Sequence, residues 1–264
     1  MSALASRILV AAVLLPLVLG LVWLGGWWLV GLALVGGLMA LHELYGMARG
    51  LHPIVLAGFA GLTLVLLGTQ LGGPTWLLGG ILSAIALSFL LFLVSSARQS
   101  ATAGFAVTLL GVTWVGGGLA HLMLVRDVPD DGRLLVFTAL LAVFADDTAA
   151  FFVGRAIGRH KLAPSISPGK SVEGFVGGTI AAVLVAFFAL YEQDVMRPWE
   201  SLLFGGAIAL AATAGDLFES AVKRDLGTKD SGRVLAGHGG VLDRVDSLLW
   251  AGPAAYYALL ALTG

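Results

Sequence analysis

The chain lacks cysteine and carries few charged residues, and both absences narrow its class. Without Cys it has no disulfide, no thiolate metal site and no Cys nucleophile. Only 12% of its 264 residues are charged, whereas an ordinary soluble domain carries about 25%. The long apolar runs also exclude a disordered chain or a coiled coil. The composition therefore predicts an integral membrane protein.

The apolar runs predict an all-α, polytopic membrane protein with about nine transmembrane helices. A spanning helix needs about 20 mostly apolar residues, and the runs lack the alternation of a membrane barrel. Arg7 precedes the first run, but no small-residue cleavage site follows, so we expect a retained helix rather than a signal peptide. The predicted spans are 8–24, 27–45, 54–71, 75–95, 104–124, 134–154, 174–191, 201–221 and 246–262.

The distribution of basic residues predicts the orientation. With a cytoplasmic N-terminus and nine spans, only Arg126, Arg133 and Arg197 of the 15 Lys and Arg residues lie outside. The C-terminus then lies on the far side. We expect one transmembrane domain, in which residues 1–125 form a scaffold or dimer face and residues 126–264 carry the catalytic helices and the cytoplasmic loops.

Polar residues interrupt the apolar pattern at three places near the predicted cytoplasmic side. The sixth span contains Asp146 and Asp147, which point about 100° apart on a helix, and acids in a span usually face a cavity, a cation or a partner. The loop 154–173 combines basic residues with a Pro-Gly turn before Lys170. It suits either a phosphate clamp or a loop beside anionic headgroups.

The third polar segment, 216–246, has the most charges. Asp216, Glu219 and Lys223 share one helix face, and Asp243 and Asp246 lie one turn apart. Several oxygen ligands without Cys suit Mg²⁺, which binds through one or two carboxylates plus substrate phosphates. The alternative is a lattice of salt bridges at the helix end.

The same segments resemble a known family, the phosphatidate cytidylyltransferases or CDP-diacylglycerol synthases. The resemblance rests on SAVKR at 220–224, KD at 229–230 and HGGVLDRVD at 238–246. Upstream, DT at 147–148, FVGR at 152–155 and SPGKSVEG at 167–174 look like the family's other cytoplasmic motifs. Asp146 is an acid where the family usually has a small residue, and its role stays open.

The resemblance implies a function in phospholipid biosynthesis. CTP and phosphatidic acid would give CDP-diacylglycerol and pyrophosphate, with Mg²⁺ and a possible second cation as cofactors. The partners would be CTP, phosphatidic acid and the lipid bilayer, but no nucleic acid. The apolar, glycine-rich first half suits either packing within one chain or the face of a homodimer. We expect a multi-pass protein of the inner (plasma) membrane with its active site facing the cytoplasm.

The resemblance also implies roles for individual residues. Asp216 and Asp243 would be the leading metal ligands, and Asp246 and Asp147 the second candidates. Lys223 would join these four in catalysis. The substrate-binding residues would be Ser167, Lys170, Arg224, Lys229, Asp230, His238, Gly239, Gly240 and Arg244.

Two other functions remain open from the sequence. A CTP-dependent polyprenol or lipid kinase would transfer the γ-phosphoryl group instead. An ion-coupled transporter would need acids near mid-membrane in both halves of the chain. Residues 1–124 contain only one acid, Glu43, close to a predicted interface, which disfavours the transporter.

Overall fold

The computed structural model describes residues 3–94, 101–232 and 239–263, with side chains from residue 12 onward. Nearly all of this part of the chain is helical. Its helices are α1 Ala3–Leu24, α2 Gly26–Met47, α3 Val55–Val94, α4 Ala101–Gly111, α5 Gly117–Arg126, α6 Gly132–Ile157, α7 Val172–Leu190, α8 Pro198–Asp225 and α9 Leu242–Thr263. A π-helical turn, Val112–Gly116, joins α4 to α5, and a 3-10 turn, Arg49–Leu51, follows α2. Two short strands, β1 Lys161–Ala163 and β2 Ser167–Ser171, pair antiparallel before α7.

The prediction of an all-α, polytopic membrane protein is confirmed, whereas the count of nine spans is not. In the described residues, seven helices are long and apolar enough to cross a membrane, with α4 and α5 counted as one helix of 26 residues. In α1 a shorter apolar stretch, Ala12–Leu24, is found. Helix α3 has 40 residues and is counted once, although the sequence predicts two spans there.

Helix α3 is divided by a sharp break at Gly72 and Gly73. Gly73 has φ +63°, a conformation that favours glycine, and Pro74 follows it. A Cβ on Gly68 would lie 2.8 Å from the Trp76 carbonyl oxygen, and one on Gly61 would lie 2.5 Å from the Ala84 Cβ. These contacts pair earlier with later positions, so the two parts of α3 run antiparallel as a tight hairpin.

The helices form two compact units. Unit 1 comprises Met1–Asp127 and Leu226–Val245, and unit 2 comprises Val128–Asp225 and Asp246–Gly264. Unit 1 has a core of large apolar side chains that includes Leu41, Leu44, Leu62 and Leu66. The predicted division of roles near residue 125 stays a prediction.

Unit 2 is built by close packing of α6, α7 and α8. Glycines on α7 let α6 approach, since a Cβ on Gly174 would lie 2.7 Å from the Ala150 carbonyl oxygen. A Cβ on Gly178 would lie 2.6 Å from an oxygen of the Asp146 carboxylate. Small residues allow this kind of approach between membrane helices. The packing buries Phe204 and Ile208 of α8 completely.

The α3 hairpin gives a matched pair of glycine substitutions. A Cβ on Gly80 would lie 2.6 Å from the Val65 Cα, whereas nothing lies within 4 Å of one on Gly79. We expect Gly80→Ala to destabilise the protein by about 1–3 kcal/mol, the usual cost of overpacking. Gly79→Ala should be neutral or slightly stabilising, because alanine is the better helix former. Thermal unfolding in detergent compares the two, and equal melting temperatures would contradict the hairpin.

Candidate active site

Unit 2 contains an acidic cluster, which we define as Asp146 and Asp147 on α6, Asp216 on α8 and Asp246 on α9. Close contact of α8 with α9 contributes to it, because a Cβ on Gly215 would lie 2.7 Å from the Asp246 carbonyl oxygen. The charges of Asp147, Asp216 and Asp246 repel one another, and the charge of Asp146 is repelled by those of Asp147 and Asp216. A nearby cation would offset this repulsion.

The members of the acidic cluster differ in exposure and in their bonds. Asp147 is exposed, Asp216 is half-buried, and Asp146 is only 2% exposed. The Thr213 hydroxyl donates to Asp146 across 3.4 Å, and Glu219 lies within hydrogen-bonding reach of Asp246. The exposed Asp147 and the half-buried Asp216 are therefore better placed than Asp146 to meet a ligand.

Lys170 forms an ion pair with one member of the acidic cluster. Its Nζ lies 2.6 Å from the Asp216 Oδ2. Strand β2 carries Lys170, and the carbonyl oxygen of Ile166, in the turn between the strands, accepts from Arg224 Nε across 3.5 Å. Glu173 accepts from the backbone N–H of Arg159 across 3.0 Å, at the segment leading into β1. The hairpin is thereby held in unit 2, and an ammonium group stands beside the carboxylates.

Glu219 and Lys223 form a second ion pair, one helical turn apart on α8. Lys223 Nζ bonds to the Glu219 carboxylate. The Lys223 side chain is 13% exposed and the Glu219 side chain is 2% exposed. The alternative of a salt-bridge lattice at the helix end thus describes part of this segment. The catalytic role predicted for Lys223 stays a prediction.

Asp243, the other leading metal ligand predicted from the sequence, belongs to unit 1. Its carboxylate accepts from the backbone N–H of Gly240 across 2.9 Å and of Ser231 across 3.2 Å. Gly239 has φ +83°, which favours glycine. Asp243 therefore fastens the turn that begins α9.

The remaining predicted substrate-binding residues lie in strand β2, in loops and near helix ends. Ser167 is half-buried at the start of β2, and Gly240 is buried. Lys229, Asp230, Arg224 and Arg244 are exposed. His238 lies outside the described residues, so its predicted role is not addressed by the structure.

The donors suit a hard divalent cation, although they do not form a complete cage. Within residues 3–94, 101–232 and 239–263, no group of three or more His, Asp or Glu side chains is arranged to hold a metal ion. The cluster offers carboxylate oxygens only, which Mg²⁺ prefers, and Mg²⁺ usually takes one or two carboxylates together with waters and substrate phosphates. The donor set fits an ion that is completed by a substrate.

Sequence reasoning missed the role of Glu43, a buried acid on α2. Its carboxylate accepts from the backbone N–H groups of Val241 and Leu242 across 3.0 and 2.9 Å. The sequence did mark Glu43 as unusual, because it is the only acid in the first 124 residues. The lack of other acids there disfavours a transporter, but it does not predict a hydrogen bond between Glu43 and residues 241–242.

Carboxylates on apolar helices, with an ammonium group bonded to one of them, suit a membrane enzyme that handles phosphate groups. Residues 5–262 match the sequence model of the cytidylyltransferase family. A phosphatidate cytidylyltransferase of Staphylococcus haemolyticus is 36% identical over 229 residues, which cover 85% of this chain and 87% of the relative. One of Staphylococcus aureus strain COL is 37% identical, covering 82% and 84%. The chain belongs to the cytidylyltransferase family, and the resemblance seen in the sequence is confirmed.

The Lys170–Asp216 pair can be tested against a lysine on the neighbouring strand. Lys170→Gln should lower activity with CTP about tenfold or more, because it removes a positioned charge from a site that binds phosphates. Lys161→Gln changes an exposed lysine on β1 and should leave activity within about twofold, as surface charges contribute little. Steady-state rates on purified protein decide this, and equal losses in both variants would contradict a specific role for Lys170.

Proposed function

We propose that the protein transfers the cytidylyl group of CTP to phosphatidic acid, giving CDP-diacylglycerol and pyrophosphate. The observation that carries the proposal is the acidic cluster with Lys170 bonded to it, in a chain of the cytidylyltransferase family. The relatives named phosphatidate cytidylyltransferase support the choice of lipid substrate. The protein is a multi-pass membrane protein, which suits a substrate held in the bilayer.

The reaction requires little from a general base. The phosphate of phosphatidic acid is ionised near neutral pH, so its oxygen can attack the α-phosphorus of CTP directly. A bond forms between this oxygen and the α-phosphorus, while the bond from the α-phosphorus to the bridging oxygen breaks. The electron pair leaves on pyrophosphate. The protein's contribution is to position two anions and to offset their charge.

We assign the carboxylates to a divalent cation and the basic residues to phosphates. Asp216 and Asp243 are the leading ligands for Mg²⁺, and Asp147 and Asp246 are candidates for orienting it or for holding a second cation. When bound, Mg²⁺ would supply charge neutralisation at the phosphates. In this proposal Lys170 exchanges Asp216 for a phosphate oxygen, since both are anionic acceptors.

Other residues complete the proposed substrate site. Arg224 and Lys229 are exposed cations suited to the triphosphate or to the lipid phosphate. Those proposed to position the nucleotide or the loop are Ser167, Asp230, His238, Gly239, Gly240 and Arg244. For Lys223, bonded to Glu219, a substrate contact would require it to leave a buried pair.

We further propose the plasma membrane as location, with the N-terminus and the site on the cytoplasmic side. The bias of Lys and Arg supports this orientation, and the bacterial relatives support this membrane. A cytoplasmic site would let water-soluble CTP meet the headgroup of a lipid. We also propose that the apolar helices of the first half form the contact face of a homodimer.

The proposed reaction differs from the kinase alternative in the fate of each phosphate. Purified protein given Mg²⁺, phosphatidic acid and CTP labelled at the α-phosphate should place label in lipid and release an equal amount of pyrophosphate. A chelator should abolish both. Label that enters lipid only from the γ-phosphate would contradict the proposal and indicate a kinase.

A pair of aspartate variants serves as the control for this assay. Asp243→Ala should abolish turnover while the protein still inserts in the membrane. Asp225→Ala changes an exposed aspartate at the end of α8 and should keep turnover. Substantial residual turnover in Asp243→Ala would remove that residue from the proposed metal ligands.

A further inference from the structure

Glu43 connects the apolar first half of the chain to the segment that begins α9. Its side chain is only 4% exposed, and its carboxylate accepts from the backbone N–H groups of Val241 and Leu242. The hydroxyl of Ser231 donates a third bond across 3.3 Å. One carboxylate therefore binds chain on both sides of residues 233–238.

The surroundings of Glu43 are shaped for a carboxylate. A Cβ on Gly232 would lie 2.6 Å from Oε1, and a Cβ on Gly240 would lie 2.6 Å from Oε2. Side chains at these two positions would displace Glu43. The glycines thus allow the backbone to close around the buried acid.

The position of Glu43 also suits the charge of the helix end. The first N–H groups of a helix have no partner within the helix, and the helix dipole favours a negative charge there. Helix α9 begins at Leu242, whose N–H is one of the donors to Glu43. Glu43, a residue of α2, thereby caps the N-terminus of α9, as a neighbouring side chain does in other helices.

The same turn holds Asp243 in place. Its carboxylate accepts from the N–H groups of Ser231 and Gly240, while Glu43 takes the Ser231 hydroxyl and the next two N–H groups. The two acids bind neighbouring N–H groups of one turn, and both also bind Ser231.

We propose that Glu43 is a positioning residue, which fixes the turn 240–242 and thereby the carboxylate of Asp243 for cytidylyl transfer. The role in transfer rests on the proposed function, in which Asp243 is a metal ligand. The contact with the turn does not rest on it. The apolar half of the chain then contributes directly to catalysis, beyond serving as a scaffold.

The contact can be tested without any activity, because the chain has no cysteine. Leu242 is fully buried, so a thiol in Leu242→Cys should react slowly with a maleimide in membranes. Adding Glu43→Gln, which removes the charge but keeps the size, should raise the labelling rate about tenfold as the turn loosens. Glu200→Gln is the matched control, because Glu200 is also buried and accepts from a backbone N–H, that of Arg197, before α8. It should leave the rate unchanged.

The role in transfer is tested by kinetics of Glu43→Gln without the added cysteine. We expect kcat to fall about tenfold, with a smaller change in the KM for CTP, because a displaced ligand weakens the transition state most. The Mg²⁺ concentration for half-maximal rate should rise severalfold. A variant that merely folds less well would lose rate without changing that concentration, and Glu200→Gln should change neither quantity.

The outcomes separate the parts of the proposal. An unchanged labelling rate when Glu43→Gln is added to Leu242→Cys would overturn the contact with the turn. Faster labelling with unchanged kcat and Mg²⁺ dependence would overturn the positioning role and leave Glu43 as a structural residue. If Leu242→Cys labels slowly and Glu43→Gln speeds its labelling, but the parent chain transfers no cytidylyl group, the proposed function is refuted and the contact stands.

Discussion

Carboxylates among apolar helices must have donors, and this requirement governs the polar parts of the structure. An ionised acid away from water is costly unless it is paired or hydrogen-bonded. Glu43 takes two backbone N–H groups, Asp216 takes the Lys170 ammonium, and Glu219 takes the Lys223 ammonium. For Glu43 and Asp216, the fold brings these donors from distant segments of the chain.

The two units meet this requirement by different means. In unit 2, Lys170 and Lys223 bind Asp216 and Glu219. A phosphate could take the place of the carboxylate beside such a lysine, and a metal ion could take the place of the lysine beside the carboxylate. In unit 1 the donors to Glu43 and Asp243 are mostly backbone N–H groups, which fix a turn. Glycines at the points of closest approach allow both arrangements, as at Gly215 on α8 and Gly240 before α9. The carboxylates of unit 2 thus have partners that a ligand could exchange, whereas those of unit 1 hold a segment of backbone in place.

The helices and the family could be predicted from the sequence, whereas the partners of the polar residues could not. The predicted span 134–154 lies within α6, and the predicted separation of 54–71 from 75–95 coincides with the break at Gly72 and Gly73. Local apolar patterns and glycine chemistry carry that information. The bond from Leu242 to Glu43 joins residues 199 positions apart, and nothing local encodes it. Lys170 and Asp216 were predicted separately, for phosphate and for metal, and their ion pair depends on how the β-hairpin packs.

Binding of a divalent cation by the acidic cluster is central to the proposed chemistry, and exchange of a ligand atom tests it most directly. Asp216→Cys would replace a hard oxygen by a thiolate in a chain without other cysteines, and thiolates prefer softer metals than Mg²⁺. We predict that this variant is inactive with Mg²⁺ and regains turnover with Cd²⁺, while Cd²⁺ gives the parent chain no advantage over Mg²⁺. Full activity of Asp216→Cys with Mg²⁺, or inactivity with every metal, would contradict cation binding by Asp216.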